Sequence, residues 1–314
     1  LAPAGLPEAL PFGDQATGLD VARSGRLVYS SRFRDSGLWQ LDLTRPTRGL
    51  RDIRLLDTRF DEHTPHYSPD GTRLAFASTR TGTEEIWIAN ADGSDPRQMT
   101  SMGGTMCANP QWSPDGQQIV FSSAKAGSLD LYLLNPSTAE LRQLTSAPGW
   151  EDLPRWSRDG AWIYFSARAP GEEMAEIWKM PAAGGSPQQV TTGGGDVASE
   201  SHDGSVLFFA RSSARLAALW RMPLTGGRPT LMADGLVGTL NFAVGRRAVY
   251  FVSSAGRPGD NTIDEIDIAS GKRLTLAGFG RRWWGVALSP DERTLIVSAI
   301  NDQGLDLMLV EPAR

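Results

Sequence analysis

Pro65-His66-Tyr67-Ser68-Pro69-Asp70-Gly71, then Leu74-Ala75-Phe76-Ala77-Ser78, Ile86-Trp87-Ile88 and Gln98-Met99-Thr100, is the stretch on which the fold turns. Its apolar pieces are short, rich in β-branched and aromatic residues, and separated by turn formers, which is strand patterning without helical period. Proline presets one dihedral, aspartate bonds its own backbone and glycine accepts positive φ, so Ser-Pro-Asp-Gly reads as a chain reversal. The stretch therefore predicts a unit of four short strands.

The same order returns downstream. Trp112-Ser113-Pro114-Asp115-Gly116 leads to Ile119–Ser123, Leu131-Tyr132-Leu133 and Gln143-Leu144-Thr145, and a third copy runs from Trp156-Ser157-Arg158-Asp159-Gly160 to Gln189-Val190-Thr191. Weaker copies flank these, one from Val21 through Leu38-Trp39 and one from Ser201-His202-Asp203-Gly204 through Leu219-Trp220. Two more carry degenerate turns, before Val249-Tyr250-Phe251 and before Leu295-Ile296-Val297. The turn position falls at Gly25, Gly71, Gly116, Gly160, Gly204, Arg246 and Glu292, so units of 42 to 46 residues fill the chain.

A four-stranded unit repeated at this period is a propeller blade. The expectation is an all-β, seven-bladed β-propeller of four-stranded blades, with residues 1–314 as a single domain. The last copy stops after Leu307-Met308-Leu309-Val310 without a fourth strand, and Glu8-Ala9-Leu10-Pro11 stands where a fourth strand precedes a blade. The N-terminal segment near Ala9 and Leu10 is therefore expected to close the ring and remove the raw edges of an open array.

The recurrence of the turn decides how its carboxylates are read. Asp70, Asp115, Asp159, Asp203 and Asp291 return blade after blade, as a folding device would, and the aromatics Tyr67, Trp112, Trp156, Trp39, Trp87, Tyr132, Trp178 and Trp220 recur as inter-blade packing residues would. Residues that break the repeat are more informative, and they gather just before each first strand, around one mouth of the central channel. Asp61, Glu62, His63, Glu151, Asp152, Asp196, Arg282, Trp283 and Trp284 form the candidate ligand-binding rim. Crowded carboxylates favour a cation or basic group, and tryptophan faces suit an aromatic or guanidinium group. The competing reading is a solvated acidic funnel.

Composition narrows the function classes. With 31 basic and 36 acidic residues the net charge is −5 and no basic stripe is present, so this chain alone is not expected to bind nucleic acid. Cys107 is the lone cysteine, which excludes an internal disulfide and leaves the redox compartment open. Leu1 and the Pro/Ala-rich Ala2–Pro11 read as the cut end of a longer polypeptide or a processed terminus. The histidines His63, His66 and His202 have no metal-ligand spacing, His66 and His202 read as structural, and no nucleophile elbow or phosphate loop occurs. The expectation is a non-enzymatic chain with neither cofactor nor metal, binding a small molecule, cation, protein or peptide at the channel mouth.

Copies of the form P-x-W-S-P-D-G, I-x-F-x-S, I-W or L-Y, and Q-L-T resemble the TolB-like, or PD40, propeller repeats, most specifically at Pro65–Gly71, Pro110–Gly116 and Pro154–Gly160. Ile177–Gly185, Leu219–Pro223 and the ending Asp306–Glu311 are similar to the C-terminal propeller of bacterial membrane-anchored regulators. That resemblance implies an extracytoplasmic sensor joined through a membrane segment to an upstream winged-helix or Ser/Thr kinase domain not present in this chain. It also admits a TolB-like envelope scaffold or the gating propeller of a prolyl-oligopeptidase-type peptidase. Pectate-type lyase propellers, which rely on channel histidines, are similar too, but only His63 stands on the rim.

Overall fold

The computed structural model describes the backbone of residues 16–21, 27–44, 53–56, 60–212, 216–256, 261–279 and 282–310, and the side chains of 36–44, 54–56, 60–212, 216–256, 261–278 and 285–300. All regular elements among the described residues are strands. Two compact units emerge, one of Leu1–Asp35 with Asn301–Arg314 and one of Ser36–Ile300.

In the smaller unit β1 (Ala16–Val21) pairs antiparallel with the start of β2 (Leu27–Asp42), with a register shift between Thr17 and Leu19. In the larger unit the later part of β2 pairs with β3 (Ile53–Arg54). A four-stranded sheet follows, β4 (Glu62–Tyr67), β5 (Arg73–Ser78), β6 (Glu85–Asn90) and β7 (Arg97–Gln98), paired in chain order. The next two repeats give β8 (Cys107–Trp112) to β11 (Leu141–Gln143), with β9 (Ile119–Ser123) and β10 (Asp130–Leu134) between, and β12 (Trp150–Trp156), β13 (Trp162–Arg168), β14 (Glu176–Pro181) and β15 (Gln188–Gln189).

An eight-stranded sheet comes next. It holds β16 (Ala198–Glu200), β17 (Val206–Ser212), β18 (Ala217–Pro223) and β19 (Thr230–Leu236), then β20 (Phe242–Val244), β21 (Ala248–Ser254), β22 (Asn261–Asp267) and β23 (Arg273–Phe279). The pair Leu236↔Ser253 joins its two halves. Finally β24 (Arg282–Leu288) pairs with β25 (Thr294–Val310), which neighbours β2 in the order β1-β2-β25-β24.

The core lies between repeats. Among the described residues, six clusters of buried apolar side chains each join one repeat to the next, as where Ala75, Ile86 and Ile88 meet Trp112, Phe121 and Tyr132. One cluster joins Ile296, Ala287 and Leu38 to Tyr67, Leu74 and Phe76, linking the last repeat to the β4 sheet. The inner strands β4, β8, β12, β16, β20 and β24 pack each on the next, and β24 packs on β4. The arrangement is all-β and propeller-like.

Seven separate four-stranded blades are not what the pairing gives. Among the described residues there are three four-stranded sheets, one of eight strands and one of five. The first and last repeats differ most: β2 and β25 each run straight through a place where two strands and a turn were expected. The reason is local. The well-formed repeats turn there on Gly82, Gly127 and Gly171 at φ of 88°, 95° and 89°, whereas the aligned positions in the first and last copies hold Ser36 and Gln303, residue types for which positive φ carries a steric cost. The closing segment expected at Ala9 and Leu10 lies outside the described residues.

Candidate functional site

The inner strands β4, β8, β12 and β24 each change register once, and that shift decides which of their side chains face the channel. Pairing slips between His63 and His66 in β4, between Ala108 and Gln111 in β8, and between Asp152 and Arg155 in β12. Thr64, Asn109 and Leu153, inside the slips, hold φ of 49°, 59° and 57°, an uncommon conformation for residues with a side chain. Such bulges re-aim the residues around them. They separate a rim before the slip from a cavity after it.

The rim residues are largely engaged within the protein. Glu62 is fully buried and paired with Arg80, whose Nε and Nη2 both stand 2.6 Å from Oε1. His63 Nε2 lies 3.0 Å from Glu84, and Asp61 accepts a hydrogen bond from Ser36. Asp152 Oδ1 accepts from Asn109 Nδ2 at 2.8 Å, Ser122 Oγ at 2.5 Å and its neighbour Leu153 N at 2.6 Å. Burial pushes the Asp152 carboxyl above the usual range despite these donors. Asp196 caps Ser212, accepting from its N at 2.9 Å and its Oγ at 2.7 Å. The side chains of Arg282, Trp283 and Trp284 lie outside the described residues.

Glu151 has a different partner. It lies beside Asp130, and both carboxyls are buried; Oε2 of Glu151 and Oδ1 of Asp130 receive no donor from other groups. Burial first, and then the neighbouring Asp130 carboxylate, push Glu151 up to about 7 against the modest opposing bond from Thr145. One proton held between two carboxyls accounts for both orphaned oxygens.

His66, Gln111, Arg155, Ser199, Ala243 and Ala287, from β4, β8, β12, β16, β20 and β24 in turn, are among the residues that line a cavity of about 510 Å³. Its outer wall includes Arg158, Glu200, His202, Arg246 and Glu292. His66 Nδ1 accepts the Trp112 backbone N–H at 3.1 Å, which leaves the ring proton on Nε2. Burial, followed by the positive charges of Arg155 and Arg158, drives the His66 pKa down to about 3, so the ring stays neutral. Burial likewise lowers Arg155 to about 10. Glu200 accepts Tyr164 Oη and Arg158 N, both at 2.8 Å, and Glu292 accepts Arg246 N at 2.8 Å.

The repeated aspartates are turn devices. Asp70 accepts from Ser68 Oγ at 2.5 Å and Thr72 N at 3.0 Å, which holds it down at about 2, and Asp115, Asp159, Asp203 and Asp291 repeat the arrangement. Cys107 is buried and its thiol is pushed up to about 12. Among the described residues no group of three His, Cys, Asp or Glu is placed to hold a metal ion. Nor, among the described residues, is any helix long and apolar enough to cross a membrane.

Reading the sequence for residues outside the repeat missed the cavity, because His66 and Arg155 sit inside its best-formed motif. A signal was present: between a proline and an aromatic-serine pair the intervening position is His66, Gln111 and Arg155 in successive copies, variable and polar.

Channel-lining inner strands, inter-repeat cores and Ser-Pro-Asp-Gly turns define a β-propeller. The chain belongs to the TolB beta propeller domain family, whose pattern it matches over residues 49–259. It is similar in fold to a putative TolB from Agrobacterium tumefaciens, at 22% identity and a TM-score of 0.69 over 86% of this chain and 99% of that one. TolB from Acinetobacter baumannii is similar at 18% identity and 0.60, over 88% and 65%. A gluconolactonase from Xanthomonas campestris shares the fold at 13% identity and 0.60, over 85% and 96%.

Proposed function

We propose that this chain is a non-catalytic binding propeller whose ligand enters the cavity of the inner strands. The single observation that carries this reading is the cavity of about 510 Å³ that β4, β8, β12, β16, β20 and β24 all line, with His66 and Arg155 placed in its wall past the bulges of β4 and β12. A concave site with a few convergent polar groups is the form a ligand site takes. The wall carboxylates Glu200 and Glu292 hold backbone N–H groups and serve as scaffolding, with no nucleophile oriented against them.

The finer reading is that the propeller is the extracytoplasmic sensor domain of a membrane-anchored transcriptional regulator. Its support is the repeat pattern at Ile177–Gly185 and Leu219–Pro223. A TolB-like envelope scaffold is the second reading, favoured by the family to which the chain belongs. A cation or basic group held at the rim of Asp61, Glu62, His63, Glu151, Asp152, Asp196, Arg282, Trp283 and Trp284 remains part of the proposal. The count of seven blades is also a proposal, supported by seven repeats and by the register shift of β1 at the place where β4 and β8 shift, whereas within Ser36–Ile300 six inner strands follow one another and β24 packs on β4.

The test is calorimetric titration with small-molecule fractions of an envelope extract, followed by mass analysis of what was bound. A ligand recovered unaltered supports a binding domain. A ligand recovered chemically changed, with the change lost on heat denaturation, would overturn it. A protease added to intact spheroplasts distinguishes the sides of the membrane, because an extracytoplasmic propeller is clipped there.

A further inference from the structure

We propose that the cavity takes an anionic group, a carboxylate or phosphate carried by a small molecule, with Arg155 as its anchor and the Nε2–H of His66 as a second donor. The inference rests on the reading of the cavity as the binding site and names the chemistry of its occupant.

Arg155 is the observation that carries it. A guanidinium offers five N–H donors in a planar fork, and enclosing one without a counter-ion is unfavourable. The hydrogen bond it makes within the chain runs from Nη1 to the Pro154 carbonyl at 3.1 Å. Among the described residues no carboxylate forms an ion pair with it. Asp152, which favours its charged form from further off, is turned to Asn109, Ser122 and Leu153. The fork thus stands in the cavity wall with most of its donors unused.

The neighbours agree in sign. His66 is held neutral, and its one hydrogen bond, accepted at Nδ1, fixes Nε2 as a donor. Arg158 and Arg246 add positive charge on the outer wall. Against them stand Glu200, bonded to Tyr164 and Arg158 N, and Glu292, paired with Arg246 at 3.3 Å. Three arginines facing two committed carboxylates leave the cavity net positive, although the chain as a whole is acidic. A bidentate bond from Arg155 to two oxygens is the geometry a planar fork suits.

The experiment is titration of the full chain with succinate and with inorganic phosphate, each against potassium chloride at matched ionic strength, read by melting temperature and calorimetric heat. A saturable rise with at least one of the two anions is expected, and which one responds separates a carboxylate site from a phosphate site. Arg155→Gln is expected to weaken binding at least tenfold, with Arg155→Lys retaining part of it. Should Arg155→Gln not fold, phenylglyoxal modification of the unaltered chain reports instead: Arg155 should be protected by the responding anion. The absence of a saturable response to both anions, undiminished binding by Arg155→Gln, or unprotected Arg155 would overturn the proposal. Turnover of a bound anion would remove the non-catalytic reading and leave this site standing. Binding of an uncharged ligand that Arg155→Gln leaves unchanged would do the reverse.

Discussion

Single side chains in this protein are best understood by where the repeat lets them deviate. Glu85 and Glu176 occupy one position in sheets two repeats apart, and each takes a threonine hydroxyl, Thr100 at 2.5 Å and Thr191 at 2.7 Å. Those threonines also accept the backbone N–H of Ile86 and Ile177, both at 2.9 Å, which explains why Gln-x-Thr ends a repeat. In the intervening sheet the position is Asp130, one methylene shorter, and Glu151 comes in to meet Thr145 and Asp130. This substitution sets a pH dependence. In the unfolded chain Glu151 ionises near 4.5 and in the folded chain near 7, so the folded state holds more protons between those values. Its contribution is present below about 4.5 and is lost as pH rises through 7, because stability falls with pH wherever the native state binds the extra proton. Glu151→Gln should flatten that slope in denaturant titrations at pH 5 and pH 8; an unchanged slope would show that the pair does not share a proton. Glu62→Ala should cost about 3–5 kcal/mol, since it strands the Arg80 guanidinium among Phe76 and Trp87. The drop is measurable as a shift in urea midpoint.

For the strands, the decisive feature is the bulge. It reverses which residues of an inner strand face the channel, and so turns His66 and Arg155 inward while His63 and Asp152 stay on the rim. Packing between inner strands is close enough that backbone conformation matters. Gly285, in β24, has φ of 131°, and a Cβ there would come 3.0 Å from the Thr64 Cα of β4. Its N–H also donates to Asn241 Oδ1 at 2.8 Å, tying it to the strand on the other side. Gly285→Ala is expected to lower stability by about 1–3 kcal/mol, through overpacking at a conformation a side chain disfavours. A melting temperature equal to the parent's would mean that β24 and β4 separate easily.

Within Ser36–Ile300 stability is cooperative because the cores lie between repeats and not inside them. Leu41, from the early part of the chain, is fully buried among Val252, Ile263, Leu295 and Val297 from its end. Contacts so distant in sequence form late and make one repeat depend on the others. Leu41→Ala should cost about 2–5 kcal/mol. Calorimetry should show the whole transition shifting to lower temperature as a single peak. A separate low-temperature peak would show instead that the last sheet unfolds by itself.

The sequence alone determined the strand-rich repeat, its turns and the positions at which cores form, because those depend on local chemistry: proline and glycine dihedrals, Asx hydrogen bonds and apolar alternation. Pro65–Gly71 is enough to place Ser68, Asp70 and the strands on either side. It did not determine which mouth of the channel holds the cavity, since the alternation of an inner strand is inverted by a bulge at Thr64, Asn109 and Leu153 that no residue type announces. Nor did it show that the rim carboxylates are engaged, because Arg80, Glu84 and Ser122 reach them from other strands and other turns. The same holds for pairing at the two ends of the chain, where Ser36 and Gln303 stand at the position of a turn glycine and the strands run on. Only the tertiary structure decides such points: a side chain's charge is written in the sequence, but its partner is whatever the fold brings within about 3 Å.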